Sequence, residues 1–414
     1  MASNASESGG LGARSDDDSR VRLAIVTSHP IQYNAPWFRH LATRAEFSLR
    51  VFYLWDYGIK PMFDPGFQQT IQWDIPLLAG YRYRFVPNKS PHPGTYRFLG
   101  LWNPSLVKEI RRYKPSVILM LGYNFASCIY LVLRVRHTPL IFRGDSHRIV
   151  RRAGWREFLR RKLISLLFRQ FSGFLYVGAA NRDYFRYHNV PEHKLFRAPH
   201  SVENERFFAQ AAQASTQAAA WKRELGIPER DLVILFAGKL EPKKRPLDLL
   251  RAFQAADMRD VSLLFVGSGP LEEQVKAVAA GDEKIFFAPF QNQTLMPRTY
   301  AAGDLFVLPS FGTSETWGLA VNEAMCLGRP IIVSDHVGCA RDLVVSNQNG
   351  LVFPAGDISA LTRCLRHAVS DPERLRNWGE CSRRMIEEYS YRQTTDGLLE
   401  AMRCVAGPAN ASSA

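Results

Sequence analysis

The sequence predicts an α/β protein made of two Rossmann-like domains that face each other across a cleft. Three observations carry that expectation. The chain has 414 residues, which favours two medium domains of roughly 100–200 residues each over one large core. Apolar runs of strand length alternate with segments of helical periodicity, the mark of a parallel sheet covered by helices. The alternation breaks at an Ala/Gln-rich stretch, AQAAQASTQAAA (209–220), and then starts afresh.

In order along the chain, residues 1–19 are rich in Ser, Gly and Asp and read as a disordered tail. That setting argues against Asp16, Asp17 and Asp18 as an acidic metal motif. VRLAIVTSH then reads as a strand, APWFRHLATR as a helix and FSLRVFYLW as a second strand, followed by a long aromatic excursion over 56–102 and the helix SLVKEIRRYKP. Residues 116–133 carry no charge and reach the minimum of about 18 residues for a membrane-spanning helix. Pro115, Gly122, Asn124 and Ser127 interrupt them, so the segment is read instead as a buried strand, VILMLG, and its crossover helix. PLIFRGDSH gives another strand. Over 151–171, Trp155, Phe158, Leu159, Leu163, Leu166, Leu167 and Phe171 recur at helical spacing on one stripe, which is expected to face the core. FLYVGA closes the first half.

After the junction, DLVILFAGKL, VSLLFVGSG, KIFFAPF, GDLFVLPS, RPIIVSD and GLVFP read as strands, with PLDLLRAFQAA and LAVNEAMCLG among the helices between them. The expected organisation is a tail (1–19), a first domain (20–206), a linker (207–228), a second domain (229–388) and a last helix (389–407). In open sheets of this kind ligands bind beyond the carboxyl ends of the strands, so chemistry is sought in the cleft.

Hydrophobic residues make up 46% of the chain and charged residues 22%, which excludes wholesale disorder. The six cysteines form no CxxC pair, and the N-terminus has no apolar signal core. A reduced, cytoplasmic protein without structural zinc is expected. The net charge of +14 is uneven: residues 1–200 hold 30 Lys/Arg against 13 Asp/Glu, whereas the remainder is slightly acidic. Nine of those cations fall within 143–169, a field that suits nucleic acid, anionic lipid or a phosphorylated acceptor, or a solvated face alone.

The densest constellation follows the strand LFVLPS. A loop, FGTSETWG, carries Glu315, and a helix starting near Leu319 carries Glu323 in its first turns. Free N–H groups at that helix start suit an anion such as a diphosphate, while carboxylates beside it suit sugar and ribose hydroxyls. FAGKLEPKKRP (236–246) sets Lys239 directly after a strand and Lys244 five residues on, two ammonium groups fit to neutralise a departing diphosphate. GSGP (267–270) lacks the third glycine of a dinucleotide fingerprint and reads as a tight turn.

These segments together resemble the retaining glycosyltransferases of the GT-B fold, glycosyltransferase family 4. PSFGTSETWGLAVNEAMCLGRPIIVSD is similar to the family signature, and FAGKLEPKKRP to its G-R/K-L-x-x-x-K loop; VGSGP, YAAGDLFVLPS and NQNGLVFPAGD follow in the family's order. The resemblance spans roughly 21–390 and is strongest over 236–357. It implies a nucleotide-sugar donor held by the second domain, no metal and no cofactor beyond that co-substrate, and transfer with retention to a hydroxyl of a glycan or lipid-linked acceptor held by the first domain. It implies that Lys239 and Lys244 grip the diphosphate, Glu315 the donor sugar and Glu323 the ribose. Thr316, Trp317, Gly318 and Leu319 would supply backbone N–H groups. The family usually has Arg where Lys239 stands, so a point charge replaces a bidentate grip.

The first domain departs from the family. Where many members have glycines after the first strand, this chain has SHPIQYNAPW, which makes His29, Gln32, Tyr33 and Asn34 acceptor-side candidates. FRGDSH stands where members often carry a histidine, leaving Arg143, Asp145 and His147 as open alternatives. A cell-surface polysaccharide or glycoconjugate pathway is the expected setting. Arg151, Arg152, Arg156, Arg160, Arg161 and Lys162 are expected to dock the protein peripherally on an anionic membrane, at the inner face of the cell membrane. The alternatives are an epimerase or hydrolase of sugar nucleotides and a nucleic-acid-binding protein. The last is disfavoured, since no reader module is recognisable.

Overall fold

The computed structural model of the protein describes residues 20–150 and 154–406. Asp16, Asp17, Asp18, Arg151 and Arg152 lie outside the described residues. The first sheet has seven strands: β1 (Val21–Thr27), β2 (Phe47–Tyr53), β5 (Tyr83–Phe85), β6 (Val117–Leu121), β7 (Leu140–Arg143), β8 (Gly173–Tyr176) and β9 (Leu195–Arg197). Their order is β5-β2-β1-β6-β7-β8-β9. Between β2 and β5 an antiparallel hairpin of β3 (Met62–Asp64) and β4 (Gln69–Ile71) forms part of the aromatic excursion. The second sheet has six: β10 (Leu232–Ala237), β11 (Val261–Val266), β12 (Ile285–Ala288), β13 (Leu305–Leu308), β14 (Ile331–Ser334) and β15 (Gly350–Phe353), in the order β12-β11-β10-β13-β14-β15. Both sheets are parallel throughout.

The central strands are unbroken apolar runs because helices cover both of their faces: Leu23, Ala24, Ile25 and Val26 of β1, and Val233 to Phe236 of β10, are buried. The uncharged segment 116–133 is a strand, β6, and a separate helix, Ala126–Arg134. Among the described residues no helix is long and apolar enough to cross a membrane.

The segment read as a linker is mostly a single 21-residue helix, Asn204–Glu224, whose Phe207, Ala214, Ala218 and Trp221 join the core of the second domain. Its alanines give high helix propensity and a flat face that packs closely. The last helix, Tyr391–Ala406, leaves the second domain and lies on the first sheet, where Leu398, Leu399, Ala401 and Met402 share a core with Leu23, Ile25 and Leu49. Gly397 permits this approach, since a Cβ there would stand 1.8 Å from the Arg197 carbonyl oxygen. Thr394 donates to the Pro199 carbonyl at 2.7 Å, and Trp37 donates to Thr395 at 3.2 Å.

One expectation fails. The stripe over 151–171 was expected to be core, but in the helix Trp155–Phe168 five of its members, Trp155, Phe158, Leu159, Leu163 and Leu166, are at least half exposed. Of the stripe only Phe171, just beyond the helix, is buried in the first domain's core, with Leu167 half-buried against it; Ile164 and Phe168, outside the stripe, are the helix residues that enter that core. The helix has apolar residues on two sides, and the core takes the narrower one.

Candidate active site

The loops after the carboxyl ends of β1, β7, β9, β10, β11, β12 and β13 converge on one cavity of about 370 Å³ in the cleft. From the second domain come Lys239, Lys244 and the run Glu315, Thr316, Trp317, Gly318 and Leu319, with Glu323 one turn into the helix Leu319–Cys326. From the first domain come Gln32, Tyr33 and Asp145. His29 lines an adjoining cavity of about 210 Å³ that shares Gln32 and Lys239. Asn34 stands at the N-cap position of the helix Ala35–Ala42 without a side-chain capping bond and lines neither cavity.

Lys244 and Glu315 form a nearly buried ion pair. Burial alone would raise the Glu315 carboxyl, but the Lys244 ammonium and the Ser310 hydroxyl, which donates to Glu315 Oε2 at 2.9 Å, hold it below its ordinary value. Lys239 reaches across the cleft to Asp64 at the end of β3, 2.9 Å from Oδ1, and lies 4.7 Å from the centre of the Phe67 ring. In this state the Asp64 carboxylate sits where an anionic ligand of Lys239 would be held. The surrounding segment is latched to the second domain: Ser268 donates to the Phe67 carbonyl at 2.8 Å, and the Thr294 amide donates to Asp74 at 3.2 Å.

Of the three open alternatives after β7, Arg143 is turned away from the cavity. It donates to the carbonyls of Ala198 and Pro199 at 2.7 and 3.2 Å and lies over Trp37, pinning the chain where it leaves the first sheet. Burial lowers its guanidinium to about 10. Asp145 lines the cavity, accepting from Thr316 Oγ1 at 2.6 Å with His200 Nε2 at 3.6 Å. Removal from water opposes its ionisation, yet His200 and Thr316 bring it down to about 2. His147 Nε2 lies 3.3 Å from the Glu315 carbonyl oxygen, and burial lowers its pKa. Two side chains of the first domain therefore touch the loop that carries Glu315. His29, packed edge-on against Tyr57 at 5.3 Å, is lowered by burial to about 4 and is neutral at pH 7.

Glu323 is buried. The Tyr300 hydroxyl donates to its Oε2 at 2.7 Å, and its Oε1 has no hydrogen-bond partner among the described residues. Burial pushes its carboxyl up to about 7. Its native pKa lies above the unfolded one, so Glu323 favours the fold fully at acid pH. That contribution is lost at about 1.4 kcal/mol per pH unit as pH rises towards 7, and changes no further above it. Glu323→Gln keeps the neutral shape. Thermal melts should therefore coincide with wild type at acid pH, exceed it increasingly up to about pH 7 and by a constant margin above it; parallel melts across that range would contradict the assignment.

Sequence reasoning gave no site role to Asp64, His200, Tyr300 or Ser310, the last read only as a strand end. The Asp-Pro-Gly run at 64–66, a turn signal inside an aromatic-rich stretch, is the one local hint of the Asp64 contact. The backbone of the Glu315 loop is fixed from behind by Gly338, whose amide donates to the Glu315 carbonyl at 3.1 Å, and by Cys339, whose amide donates to the Trp317 carbonyl at 2.9 Å. The Trp317 indole donates to Asn322 at 2.8 Å, and Asn322 in turn donates to the His200 carbonyl at 3.0 Å.

Residues 217–385 match the sequence model of the family "Glycosyl transferases group 1". Among curated proteins, the D-inositol 3-phosphate glycosyltransferase of Salinispora arenicola is 29% identical over 213 residues, 48% of this chain and 47% of that protein. The chain spans about half the length of the curated relatives it matches. Among solved structures, a glycosyltransferase from Rickettsia africae superposes with a TM-score of 0.71 at 14% identity, covering 94% of this chain and 99% of its own. Anabaena HepE in complex with UDP superposes with a TM-score of 0.69 at 16% identity, covering 92% and 99%. The segment from the end of the Asn204–Glu224 helix to the end of the second domain thus carries the group 1 glycosyl transferase match, and the chain as a whole has the two-domain GT-B fold of these structures.

Proposed function

We propose that the protein is a glycosyltransferase of family 4. It would move a sugar from a nucleotide-sugar donor to a hydroxyl of a glycan or lipid-linked acceptor, with retention of anomeric configuration, in cell-surface polysaccharide or glycoconjugate biosynthesis. The observation that carries this reading is the juxtaposition of Lys239, Lys244 and the start of the Leu319–Cys326 helix around one interdomain cavity, with Glu315 and Glu323 at its wall. Two ammonium groups and free backbone N–H donors offer a nucleoside diphosphate leaving group fixed positive charge where negative charge develops, so that no metal ion is required for that role.

In this mechanism Lys244 does two things. It holds Glu315 ionised, ready to accept hydroxyl protons of the donor sugar in hydrogen bonds, and it faces the diphosphate. Glu323, with one free oxygen, accepts from the ribose. Asp64 would give up Lys239 as the donor enters. The acceptor approaches from the first domain, past Gln32, Tyr33 and Asp145, and attacks the face of the sugar from which the diphosphate departs. No side chain acts as a nucleophile.

The UDP held by the HepE neighbour makes UDP the first nucleotide to try. Calorimetric titration with UDP and then other nucleoside diphosphates should find one that binds. Incubating the corresponding sugar donor with an acceptor panel should give a product whose anomeric NMR couplings match the donor. Free sugar or isomerised donor in the absence of acceptor would favour a hydrolase or epimerase, and no nucleotide binding at all would overturn the reading.

A further inference from the structure

The exposed face of the Trp155–Phe168 helix is larger and more apolar than a solvated surface requires. Trp155 is 71% exposed, Phe158 60%, Leu159 50%, Leu163 60% and Leu166 57%. At 3.6 residues per turn these five side chains fall within an arc of about 140°, opposite the side on which Ile164 and Phe168 enter the core. The helix is therefore fixed to the domain by one apolar side while presenting another to its surroundings. An apolar patch of this kind on a protein surface marks an interaction site.

Its charges identify the partner. Arg156 borders the arc, Lys162 lies within it, Arg169 follows at the helix end, Arg160 stands on the flank between the arc and the core side, and all four are exposed. The Lys162 ammonium lies 5.4 Å from the Phe158 ring centre and the Arg156 guanidinium 5.5 Å from that of Trp155, so the cations stay beside the rings on their alkyl stems. The single acidic residue of the helix, Glu157, is turned inward and lies 3.4 Å from Arg160. A second copy of this face would bring cations against cations with no exposed carboxylate on the helix to answer them. A nucleic acid would leave the central apolar arc without a role. An anionic bilayer satisfies both parts, taking the rings and leucines at the level of the acyl chains and the cations at the level of the headgroups.

We propose that the Trp155–Phe168 helix is an interfacial anchor that lies in the plane of an anionic phospholipid surface and inserts Trp155, Phe158, Leu159, Leu163 and Leu166 into it. Attachment is then driven by apolar insertion as well as by charge. None of the helix's residues lines the cavities of the cleft, so the anchor stands whatever donor the cleft binds.

Flotation of the full chain with vesicles of phosphatidylcholine alone, or of phosphatidylcholine mixed with phosphatidylglycerol, at low and high salt, tests this. Wild type is expected to float with the mixed vesicles and at least about tenfold less with the neutral ones. Phe158→Glu combined with Leu163→Glu should abolish flotation at either salt, and Arg156→Gln with Arg160→Gln should weaken it on mixed vesicles and flatten its salt dependence. Both variants change exposed positions; unchanged melting curves and unchanged UDP or other nucleotide titrations confirm that fold and cleft are intact. No flotation of wild type, flotation indifferent to the Phe158 and Leu163 changes, or self-association in sedimentation velocity that those changes abolish in the absence of vesicle binding would overturn the anchor.

Discussion

Lys244→Ala is expected to lower kcat/KM for sugar transfer by about a hundredfold to a thousandfold, the usual cost of removing a group that stabilises transition-state charge in a closed site. It should also destabilise the fold, because the Glu315 carboxylate loses its ammonium partner while remaining largely out of water; breaking such a pair costs about 3–5 kcal/mol. The two losses can be separated. Combining Lys244→Ala with Glu315→Gln removes the unpaired charge, so the melting temperature should recover most of its drop while activity does not. If activity recovers together with stability, the pair is structural and the diphosphate is held by something else. Wild-type nucleotide affinity in Lys244→Ala, measured by calorimetry, would remove Lys244 from the donor site altogether.

The second large effect is expected from a residue that presents no functional group. A Cβ at Gly338 would stand 1.8 Å from the Thr316 carbonyl oxygen and 2.5 Å from its carbon, and neither can swing aside because both are backbone. Gly338→Ala therefore has to displace the stretch that holds Glu315, Thr316 and Trp317. Overpacking of this kind costs about 1–3 kcal/mol, and the displaced amides are those proposed to face the donor. Nucleotide affinity should fall further than the stability loss accounts for. Gly338→Ala with wild-type nucleotide binding would mean that the loop tolerates displacement and that its backbone makes no ligand contact.

The longer strands and helices of both domains were legible because each is coded locally, whereas the three-residue strands β3, β4 and β5, inside the aromatic excursion, and β9 were too short to show a pattern. Unbroken apolar runs give doubly covered strands, and the Pro and Gly around them set their ends. On the second-domain side of the cavity Lys239, Lys244, Glu315 and Glu323 were legible for the same reason, since they follow strand ends in short segments, whereas Tyr300 was not. What could not be read depends on pairing distant parts of the chain. The turn signal at 64–66 marks a turn but does not point to Lys239, 175 positions away, and Asp145 meets Thr316 only because two separate sheets converge. The Trp155–Phe168 helix misled for a different reason. Periodicity shows that a helix has an apolar face, but where a helix has two, it does not say which of them the core will choose.

The return of the Tyr391–Ala406 helix to the first sheet has a consequence for biogenesis. The first half of the chain leaves the ribosome long before Leu398, Leu399, Ala401 and Met402, and until these arrive the sheet formed by Leu23, Ile25 and Leu49 lacks part of its cover. Domains otherwise fold in the order in which they are synthesised. Here the second domain, contiguous from the Asn204–Glu224 helix to β15 and the helices that follow, has all its parts first. The domain begun earliest is finished last, and a ribosome stalled before codon 391 would carry a complete second domain beside an unsealed first one.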